Sequence, residues 1–261
     1  MKSIKLSYGN VNFSIAENAL IDTIRFRVPY VASPRRAFDA YQVNNTSVLV
    51  NRRRPSQSNG WHGRNDIQIS IAKYLGGGTN NLIEFNDYHV KKYRKEYASM
   101  FADLQADIGK RSGIGFNIFN SQCSRLHVAL NLQCKSFADA ERLRDYWFES
   151  VNLRYLPVKR RRKTTCYWNC RSYDGTGKPN QTFAIYPTGN NKLRLEYRRN
   201  NSQSVGGLIK SSIGKTLTLE NKFRALSQPE TMNAIFWHTA RHFFTDDEQK
   251  KLVAHFPLIM N

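Results

Sequence analysis

The fold of this chain is decided by residues 164–200, TTCYWNCRSYDGTGKPNQTFAIYPTGNNKLRLEYRRN. Short runs rich in β-branched and aromatic residues alternate there with Gly, Asn and Pro, which predicts three strands joined by turns. Tyr186 closes the second predicted strand, TFAIY, and Glu196 lies inside the third, KLRLEYRR. Short connections of this kind predict hairpins and therefore an antiparallel sheet.

Tyr186 and Glu196 together suggest a reaction, because they lie among many arginines and lysines. A phenolate can attack a phosphodiester, and a carboxylate can hold the cation that polarises it. A free tyrosine has a pKa near ~10, so neighbouring cations or a metal must favour the phenolate. The alternative interpretation is an ordinary hairpin with a buried tyrosine and a surface glutamate.

The faces of the third predicted strand favour the first interpretation. Lys192, Arg194 and Glu196 share one face because side chains alternate along a strand, and the residues between them share the other. Glu196 is therefore expected to project with the cations toward DNA and not into the core. A carboxylate near a phosphate is repulsive unless a cation lies between them, which predicts a divalent metal, Mg²⁺ or Mn²⁺.

The composition indicates a polyanionic partner. The 261 residues carry 40 Lys+Arg against 20 Asp+Glu, a net charge of +20, with 40% hydrophobic residues. A chain of this length and hydrophobic content can bury a sizeable core, and such a positive excess is typical of nucleic-acid binding. A membrane surface is the competing polyanion, but no window approaches the ~18 apolar residues of a spanning helix.

The beginning of the chain and its cysteines suggest the compartment. MKSIKLSYGNVNF alternates like a strand and lacks the apolar stretch of a signal peptide. The cysteines Cys123, Cys134, Cys166 and Cys170 are not spaced like a zinc site. We therefore expect four reduced thiols in a cytoplasm.

Periodicity predicts the remaining elements. Strands are expected over 19–31, 66–75 and 124–133, and helices over 84–108, 137–151, 230–244 and 246–255. Residues 202–220, SQSVGGLIKSSIGKTLTLE, are expected to form a loop and hairpin. The predicted architecture is one α+β domain with a central antiparallel sheet and flanking helices, comprising residues 1–200 and a C-terminal extension of the same domain, 201–261.

Two basic runs interrupt these elements. Arg52, Arg53 and Arg54 fall in a predicted loop within 44–65, where the alternative to DNA binding is simple solvation. Residues 157–163, PVKRRRK, contain Arg160, Arg161, Arg162 and Lys163 and are either a linker or a segment that grips phosphates. His238 and His242, four apart on a predicted helix, lack the glutamate of a HExxH motif and are interpreted as a plain helix face.

Five ordered stretches carry a resemblance to a known family. They are IDTIRFRVPY at 21–30, SIAKYLGGGTN at 70–80, SRLHVALNL at 124–132 with the ADAERLRDYW helix after it, TTCYWN with FAIY, and LRLEYRR. In this order they resemble the replication initiators of filamentous bacteriophages, the gene II protein family, which is similar to the rolling-circle Rep proteins of small plasmids. The resemblance covers residues 20–200.

The resemblance implies an HUH-endonuclease-like fold and a metal-dependent, site-specific nickase. In that family a tyrosine attacks one strand, stays linked to its 5′ end and later rejoins the strand, which drives rolling-circle replication. The implied partners are double- and single-stranded origin DNA, with a host helicase and polymerase, and no membrane.

Position by position, the resemblance implies that Tyr186 is the nucleophile and that Glu196 is a metal ligand. His127 stands where the family more often has Asp and is an acceptable metal ligand. Asn131, on the same predicted strand face, would add a weaker oxygen ligand. The family usually has a lysine two residues after the tyrosine, where this chain has Thr188, and Lys192 is the nearest replacement. Tyr167 and Tyr173 are reserve nucleophiles.

The expected DNA contacts are the basic side chains near these elements. They are Arg52, Arg53, Arg54, Arg160, Arg161, Arg162, Lys163, Arg194, Arg198 and Arg199. The alternative function is a non-catalytic basic protein, either a phage repressor or a replication or packaging accessory that binds DNA or single strands, because basic charge with interleaved aromatic residues suits phosphate contact and base stacking equally well. A structural RNA-associated protein is a third possibility.

Overall fold

The computed structural model describes residues 4–8, 10–15, 19–29, 38–43, 46–53, 64–75, 97–112, 117–118, 121–173, 177–200 and 229–255. Its strands are β1 (Ile4–Tyr8), β2 (Val11–Ile15), β3 (Leu20–Pro29), β4 (Phe38–Val43), β5 (Thr46–Arg53), β6 (Arg64–Ser70), β7 (Gln122–Cys134), β8 (Val158–Arg162), β9 (Thr165–Asn169), β10 (Gln181–Thr188) and β11 (Lys192–Arg199). Its α-helices are α1 (Ile71–Leu75), α2 (Tyr97–Ser112), α3 (Phe137–Ser150), α4 (Pro229–Ala240) and α5 (Asp246–His255), and a 3₁₀ helix spans Arg241–Phe243.

The chain divides into two compact units. Unit 1 comprises residues 1–20, 127–214 and 230–261, and unit 2 comprises 21–126 and 215–229. Antiparallel strand pairs occur in both units, and helices accompany them. The predicted α+β class with an antiparallel sheet is therefore confirmed.

The strands of unit 1 present one apolar face. Its strand order is β7-β11-β10-β9-β8, and β2 pairs with β7 and with β1. The alternating residues Val128, Leu130, Leu132, Leu193 and Leu195 are at most 2% exposed. Burying such a side chain contributes about 1.5–3 kcal/mol, so this face is the core of the unit. We call it the helix face, because α3 and α4 pack there.

Aromatic rings from the C-terminal helices complete the helix face. The ring of Phe243 stacks on Phe183 at 4.7 Å and meets Trp168 edge-on at 5.1 Å. Phe236 of α4 lies 6.0 Å from Phe183. Trp168 also donates from Nε1 to the carbonyl oxygen of Val151 at 3.1 Å, so its one polar atom is satisfied.

Helix α3 begins and ends close to the predicted bounds because of its caps. The Ser136 hydroxyl accepts a hydrogen bond from the Asp139 N–H at 3.1 Å, which is the expected N-cap arrangement. The Val151 N–H donates to the Trp147 carbonyl oxygen at 2.9 Å. Leu143 and Trp147 are 0% exposed, so they belong to the buried side of this helix.

Unit 2 contains strands in the order β4-β5-β6-β3. Ile24 and Phe26 of β3 are 0% exposed, and the Phe26 ring meets Phe101 of α2 edge-on at 6.5 Å. On the opposite side of β3, Arg25 donates to Gln68 Oε1 from Nε at 3.1 Å and from Nη2 at 2.7 Å. β3 therefore has an apolar side facing α2 and a basic side.

Three sequence predictions need correction. The strand expected over 66–75 ends at Ser70, where α1 begins, because the Ser70 hydroxyl accepts from the Lys73 N–H at 3.4 Å and caps the helix. The run 157–163 is not a linker, because β8 pairs with β9 in the register Arg160↔Tyr167. Arg52 and Arg53 belong to β5 and not to a loop.

The C-terminal prediction is confirmed with a refined boundary. α4 ends at Ala240, a 3₁₀ turn follows, and α5 begins at Asp246. Glu248 Oε2 accepts from the Thr245 N–H at 2.9 Å, and the Thr245 hydroxyl accepts from the Glu248 N–H at 3.3 Å. This reciprocal capping box explains the break between the two helices. Residues 84–96, 201–228 and Arg54 lie outside the described residues.

None of the helices in the described ranges is long and apolar enough to cross a bilayer.

Candidate active site on the polar face of the sheet

The strand face opposite the helix face carries the predicted site residues in ordered rows. Ala184 pairs with Glu196 on one side and with Tyr167 on the other. Tyr186 pairs with Arg194 in the next row. We call this side of β7, β11, β10, β9 and β8 in unit 1 the polar face. The predicted sharing of one face by Arg194 and Glu196 is thus confirmed.

Glu196 connects the site. Its Oε2 accepts a hydrogen bond from the Tyr186 hydroxyl at 3.0 Å and one from Arg198 Nη2 at 2.6 Å. Its Oε1 lies 3.2 Å from His127 Nδ1. One carboxylate therefore joins the candidate nucleophile, a guanidinium and an imidazole.

The environment of Glu196 stabilises its charged form. Glu196 is 2% exposed. Burial by itself would raise the pKa of Glu196, but the hydrogen bond from His127 and the charge of Arg198 more than offset it and hold the pKa well below its usual range. In turn, burial would lower the pKa of Arg198, and Glu196 raises it instead. Glu196 lies on the polar face as expected, but the expectation that it projects toward DNA is wrong. His127 and Arg198 hold its carboxylate in a buried ionic cluster.

His127 is fixed from both ring nitrogens. Its Nε2 lies 3.4 Å from Asn200 Oδ1. Asn200 is oriented by its own Nδ2, which donates to the Pro179 carbonyl oxygen at 2.7 Å. The imidazole is half-buried, and these contacts fix its orientation beside Glu196.

Within unit 1, the His127 imidazole and the Glu196 carboxylate lie 3.2 Å apart and offer a nitrogen and an oxygen donor. A carboxylate with an imidazole suits several divalent metals, including Mn²⁺.

No known family is identified by comparison. No family model, curated protein or solved structure matches the chain.

The hairpin between β10 and β11 sets the register of the site. Asn190 and Asn191 have φ of 59° and 56°, in the left-handed region that asparagine tolerates better than most residues. The turn is also tied to the end of β7, because the Cys134 N–H donates to the Asn191 carbonyl oxygen at 2.9 Å and Gln133 Nε2 donates to that of Asn190 at 3.1 Å.

Strand β10 runs past Tyr186 to Thr188, two residues further than predicted. Pro187 pairs in register with Leu193 of β11. Among the described residues, the pairing of β10 with β9 reaches only Ile185, so Pro187 lies where β10 pairs with β11 alone, which suits a residue without an N–H. Tyr186 is consequently held inside a strand.

The two predicted auxiliary residues lie away from Glu196. Asn131 is four residues beyond His127 on β7, a separation of about 13 Å along a strand, which is too far to share one ion with it. Lys192 pairs with Thr188 at the start of β11. Arg194 is directly opposite Tyr186, so it is nearer to Tyr186 in the ladder than Lys192 is, and at 2% exposed it is not an exposed DNA contact.

The reserve tyrosines occupy different places. Tyr167 of β9 is half-buried on the polar face, and the Arg198 guanidinium lies 6.0 Å from its ring centre. Tyr173 is 44% exposed and forms an isolated bridge with Pro179. Only Tyr186 has a hydroxyl hydrogen bond to Glu196 among the contacts of the described residues.

The basic run of β8 is divided between the two faces. Arg160 pairs with Tyr167 and is exposed on the polar-face side, and Arg162 lies two residues further along the same side. Arg161 points to the other side, where its Nη2 lies 3.1 Å from Asp145 of α3. Lys163 is exposed in the turn after β8, with φ of 53°.

Arg198 and Arg199 are likewise separated by the alternation of β11. Arg198 contacts Glu196 on the polar face, whereas the Arg199 guanidinium lies 5.3 Å from the ring centre of Tyr197 on the helix face. The sequence prediction grouped them as one DNA-binding pair. Asn200, which contacts His127, was missed because no motif marks an asparagine one residue past a strand.

Proposed function

We propose that this protein initiates rolling-circle replication of a phage or plasmid, nicking and rejoining one DNA strand at a specific site through a tyrosine–DNA intermediate. The observation that carries the proposal is the hydrogen bond from the Tyr186 hydroxyl to Glu196, on a sheet face that also holds His127 and Arg198. An antiparallel sheet with helices on one face and this site on the other is also the arrangement expected of an HUH endonuclease.

The charge distribution supports a DNA substrate. Arg160 and Arg162 are exposed along the polar-face side of β8, in a chain with a net charge of +20. Phosphate contacts from such side chains position a nucleic acid without reading its sequence. Tyr167, between Arg160 and the site, offers an aromatic ring for an unpaired base.

The reaction is an exchange of phosphodiesters. Tyr186 loses its hydroxyl proton, its oxygen bonds to phosphorus, the bond from phosphorus to the 3′ oxygen breaks, and the released 3′ oxygen takes a proton. The 5′ phosphate stays on Tyr186, and the 3′ hydroxyl becomes a primer. The reverse exchange reseals the strand without ATP, because the phosphotyrosine retains the energy of the broken bond.

Glu196 serves to orient the phenol in this proposal. A carboxylate whose pKa is held well below its usual range is a weak proton acceptor, so proton removal is not its main task. Its Oε2 instead fixes the Tyr186 oxygen at 3.0 Å. The cation in register with Tyr186 is Arg194, which is placed to favour the phenolate.

The residues present fit a divalent metal. His127 and Glu196 offer an imidazole and a carboxylate, donors that accept Mg²⁺ or Mn²⁺. When bound there, such an ion would polarise the scissile phosphate and reduce its repulsion from Glu196. His127 would then serve as a ligand held in orientation by Asn200.

Incubation of the protein with supercoiled DNA that carries a phage or plasmid replication origin tests the proposal. With Mg²⁺ or Mn²⁺ the protein should yield nicked circles and an adduct that survives SDS and disappears with protease. The partners that follow are origin DNA and the helicase and polymerase of a bacterial host, in whose cytoplasm the protein would act.

The second candidate function is a non-catalytic DNA-binding protein. It is favoured by the full engagement of Glu196, whose two oxygens are occupied by Tyr186, Arg198 and His127 in the structure. A buried pair of this kind can be purely structural. Salt-dependent DNA binding without any adduct would select this function.

A further inference from the structure

The helix face of unit 1 contains a second basic site. A cavity of about 890 Å³ lies among the segment after α3, the end of β11 and the junction of α4 with the 3₁₀ helix. The basic side chains of its lining are Arg154, Arg171, Arg199, Arg241, His238 and His242. No aspartate or glutamate lines it in the part of the chain that the structure describes.

The arginines of this cavity are not neutralised by the protein. Among the described residues, none of these four guanidinium groups forms a salt bridge. The Arg199 Nε is buried and has no hydrogen-bond acceptor within the described ranges. A buried donor without an acceptor costs free energy unless a ligand supplies one.

The pKa values of the two histidines in the lining reflect the same excess of positive charge. Burial lowers the pKa of His238, and the charges of Arg241 and Arg199 lower it further. Burial and Arg241 likewise lower the pKa of His242. An anion in the cavity would oppose both charge effects, because it favours the protonated imidazoles.

One aromatic side chain in the lining is available to a base. Tyr155 is 75% exposed, although it lies beside a cavity, and the Arg154 guanidinium is 5.9 Å from its ring centre. Large aromatic rings exposed next to arginines are typical of sites that stack a nucleobase and contact its phosphate.

We propose that this cavity, which we call the helix-face cavity, binds the phosphate of a nucleotide unit through its arginines, with the base on Tyr155. Guanidinium groups match phosphate oxygens in pairs, and the volume accommodates a ligand of nucleotide size. The site is separate from the Tyr186 site, because Tyr197 and Arg199 face the opposite side of β11 from Glu196. It goes beyond the proposed nicking function and does not depend on it.

Calorimetric titration of the full chain with thymidine 5′-monophosphate tests the proposal. We expect measurable binding, and at least about tenfold weaker binding in the double variant Arg171→Gln, Arg241→Gln, because a charged hydrogen bond is worth about one factor of ten. The control, Arg142→Gln with Lys250→Gln, removes the same charge from exposed positions outside the cavity and should bind normally. Equal weakening in both double variants would overturn the proposal.

Further ligands identify what the cavity recognises. Thymidine without phosphate, and inorganic phosphate alone, should each bind more weakly than the nucleotide, and Tyr155→Ala should remove the advantage of the nucleotide over phosphate. A 5′-phosphorylated oligothymidylate that binds more tightly than the mononucleotide would identify a strand end as the source, whereas equal affinity would identify a free nucleotide. Inorganic phosphate as good as the nucleotide, or competition by a poly-glutamate peptide at equal concentration, contradicts the proposal.

The outcome is separable from that of the nicking function. Tyr186→Phe should bind the mononucleotide with unchanged affinity, since the phenol lies on the other face of the sheet. A chain that nicks DNA but binds no mononucleotide would refute only the cavity, and the reverse result would refute only the nickase. Circular dichroism of each variant confirms that the fold is retained.

Discussion

Arg194 lies directly across from Tyr186 in the β10–β11 ladder, and its side chain is 2% exposed. Arg194 is opposite the phenol and two residues before Glu196 on β11. It is therefore placed for the role that the sequence predicts for Lys192. Since Lys192 pairs with Thr188 beside the turn of the hairpin, Arg194 is the nearer of the two residues to Tyr186 in the ladder. The site thus combines a phenol, a low-pKa carboxylate and two arginines on adjacent strands.

The first prediction concerns the phenol. Tyr186→Phe retains the ring but removes the oxygen that bonds to Glu196. We expect no nicked product and no adduct, with DNA affinity unchanged and a stability loss of about 1–3 kcal/mol from the lost hydrogen bond to a charged acceptor. Gel electrophoresis in SDS measures the adduct, and denaturant unfolding measures the stability.

Tyr167→Phe is the matched control, because Tyr167 lies on the same face near Arg198 but makes no hydroxyl contact with Glu196 among the described residues. It should retain adduct formation. Mass spectrometry of the digested adduct should place the nucleotide on Tyr186, and a nucleotide on Tyr167 or Tyr173 would move the nucleophile.

The second prediction concerns stability and pH. The folded state holds the pKa of Glu196 below its ordinary value of 4.5, so this residue stabilises the fold fully above that pH. The contribution is lost as the pH falls from there toward the folded pKa, because the unfolded chain then binds the proton first. Glu196→Gln lacks this dependence.

Urea unfolding of both proteins at about pH 7 and about pH 3 measures this effect. The wild type should exceed Glu196→Gln at neutral pH by a margin that shrinks in acid. Glu196→Ala should lose about 3 kcal/mol or more, because it leaves the charge of Arg198 without its partner. A margin that is the same at both pH values would show that the pair with Arg198 and His127 is not formed in solution.

The third prediction concerns the metal. Mn²⁺ at saturating concentration should raise the melting temperature of the wild type, since a ligand that binds only the folded state stabilises it by about 2.7 kcal/mol at a hundredfold excess over Kd. His127→Ala should remove most of this shift. His242→Ala, an exposed histidine outside the polar face, should keep it. An undiminished shift in His127→Ala would exclude that ligand.

The fourth prediction concerns DNA binding and salt. Each phosphate neutralised contributes about 0.9 to the slope of log affinity against log salt on duplex DNA. Arg160→Gln with Arg162→Gln should lower the slope by about 1 to 2, because both side chains are exposed on the polar-face side of β8. Fluorescence anisotropy with labelled duplex at several salt concentrations measures it.

Arg161→Gln is the internal control for this prediction. Its guanidinium contacts Asp145 on the helix-face side, so its loss should leave the slope unchanged. The three arginines are consecutive in the sequence. If the slope falls equally when any of them is replaced, DNA affinity depends only on the net charge of the run and not on the face that each side chain occupies.

Much of the fold follows from alternation that is visible in the sequence. The pattern of SRLHVALNLQ assigns Leu126 to one side of β7 and His127 to the other, and β11 is equally regular. Boundaries that depend on a single side chain were harder to predict. Ser70 stops β6 because its hydroxyl caps α1, and the same residue type is common inside strands.

The candidate site was predictable only in part for a geometric reason. Periodicity assigns residues to faces, which places Glu196 and His127 on the polar face, but it does not give the distance along a strand to a partner from another strand. Asn131 therefore looked equivalent to His127, although Asn200 is the amide at the imidazole. The burial of Glu196 was also not predictable from the sequence, because it accompanies pairing with Arg198 and His127 from the folded sheet.

The hairpin loop at 189–191 has a consequence for how this sequence can change. Because alternate residues of a strand face opposite sides, inserting or deleting one residue there would turn Glu196 toward the helices and Leu195 toward the phenol. A change of two residues would only slide β11 by one row and leave the polar character of each side intact. Loops that differ in length by two residues are thus expected to be tolerated better than loops that differ by one. The left-handed residues Asn190 and Asn191 help to fix the length of this turn and therefore the face on which Glu196 lies.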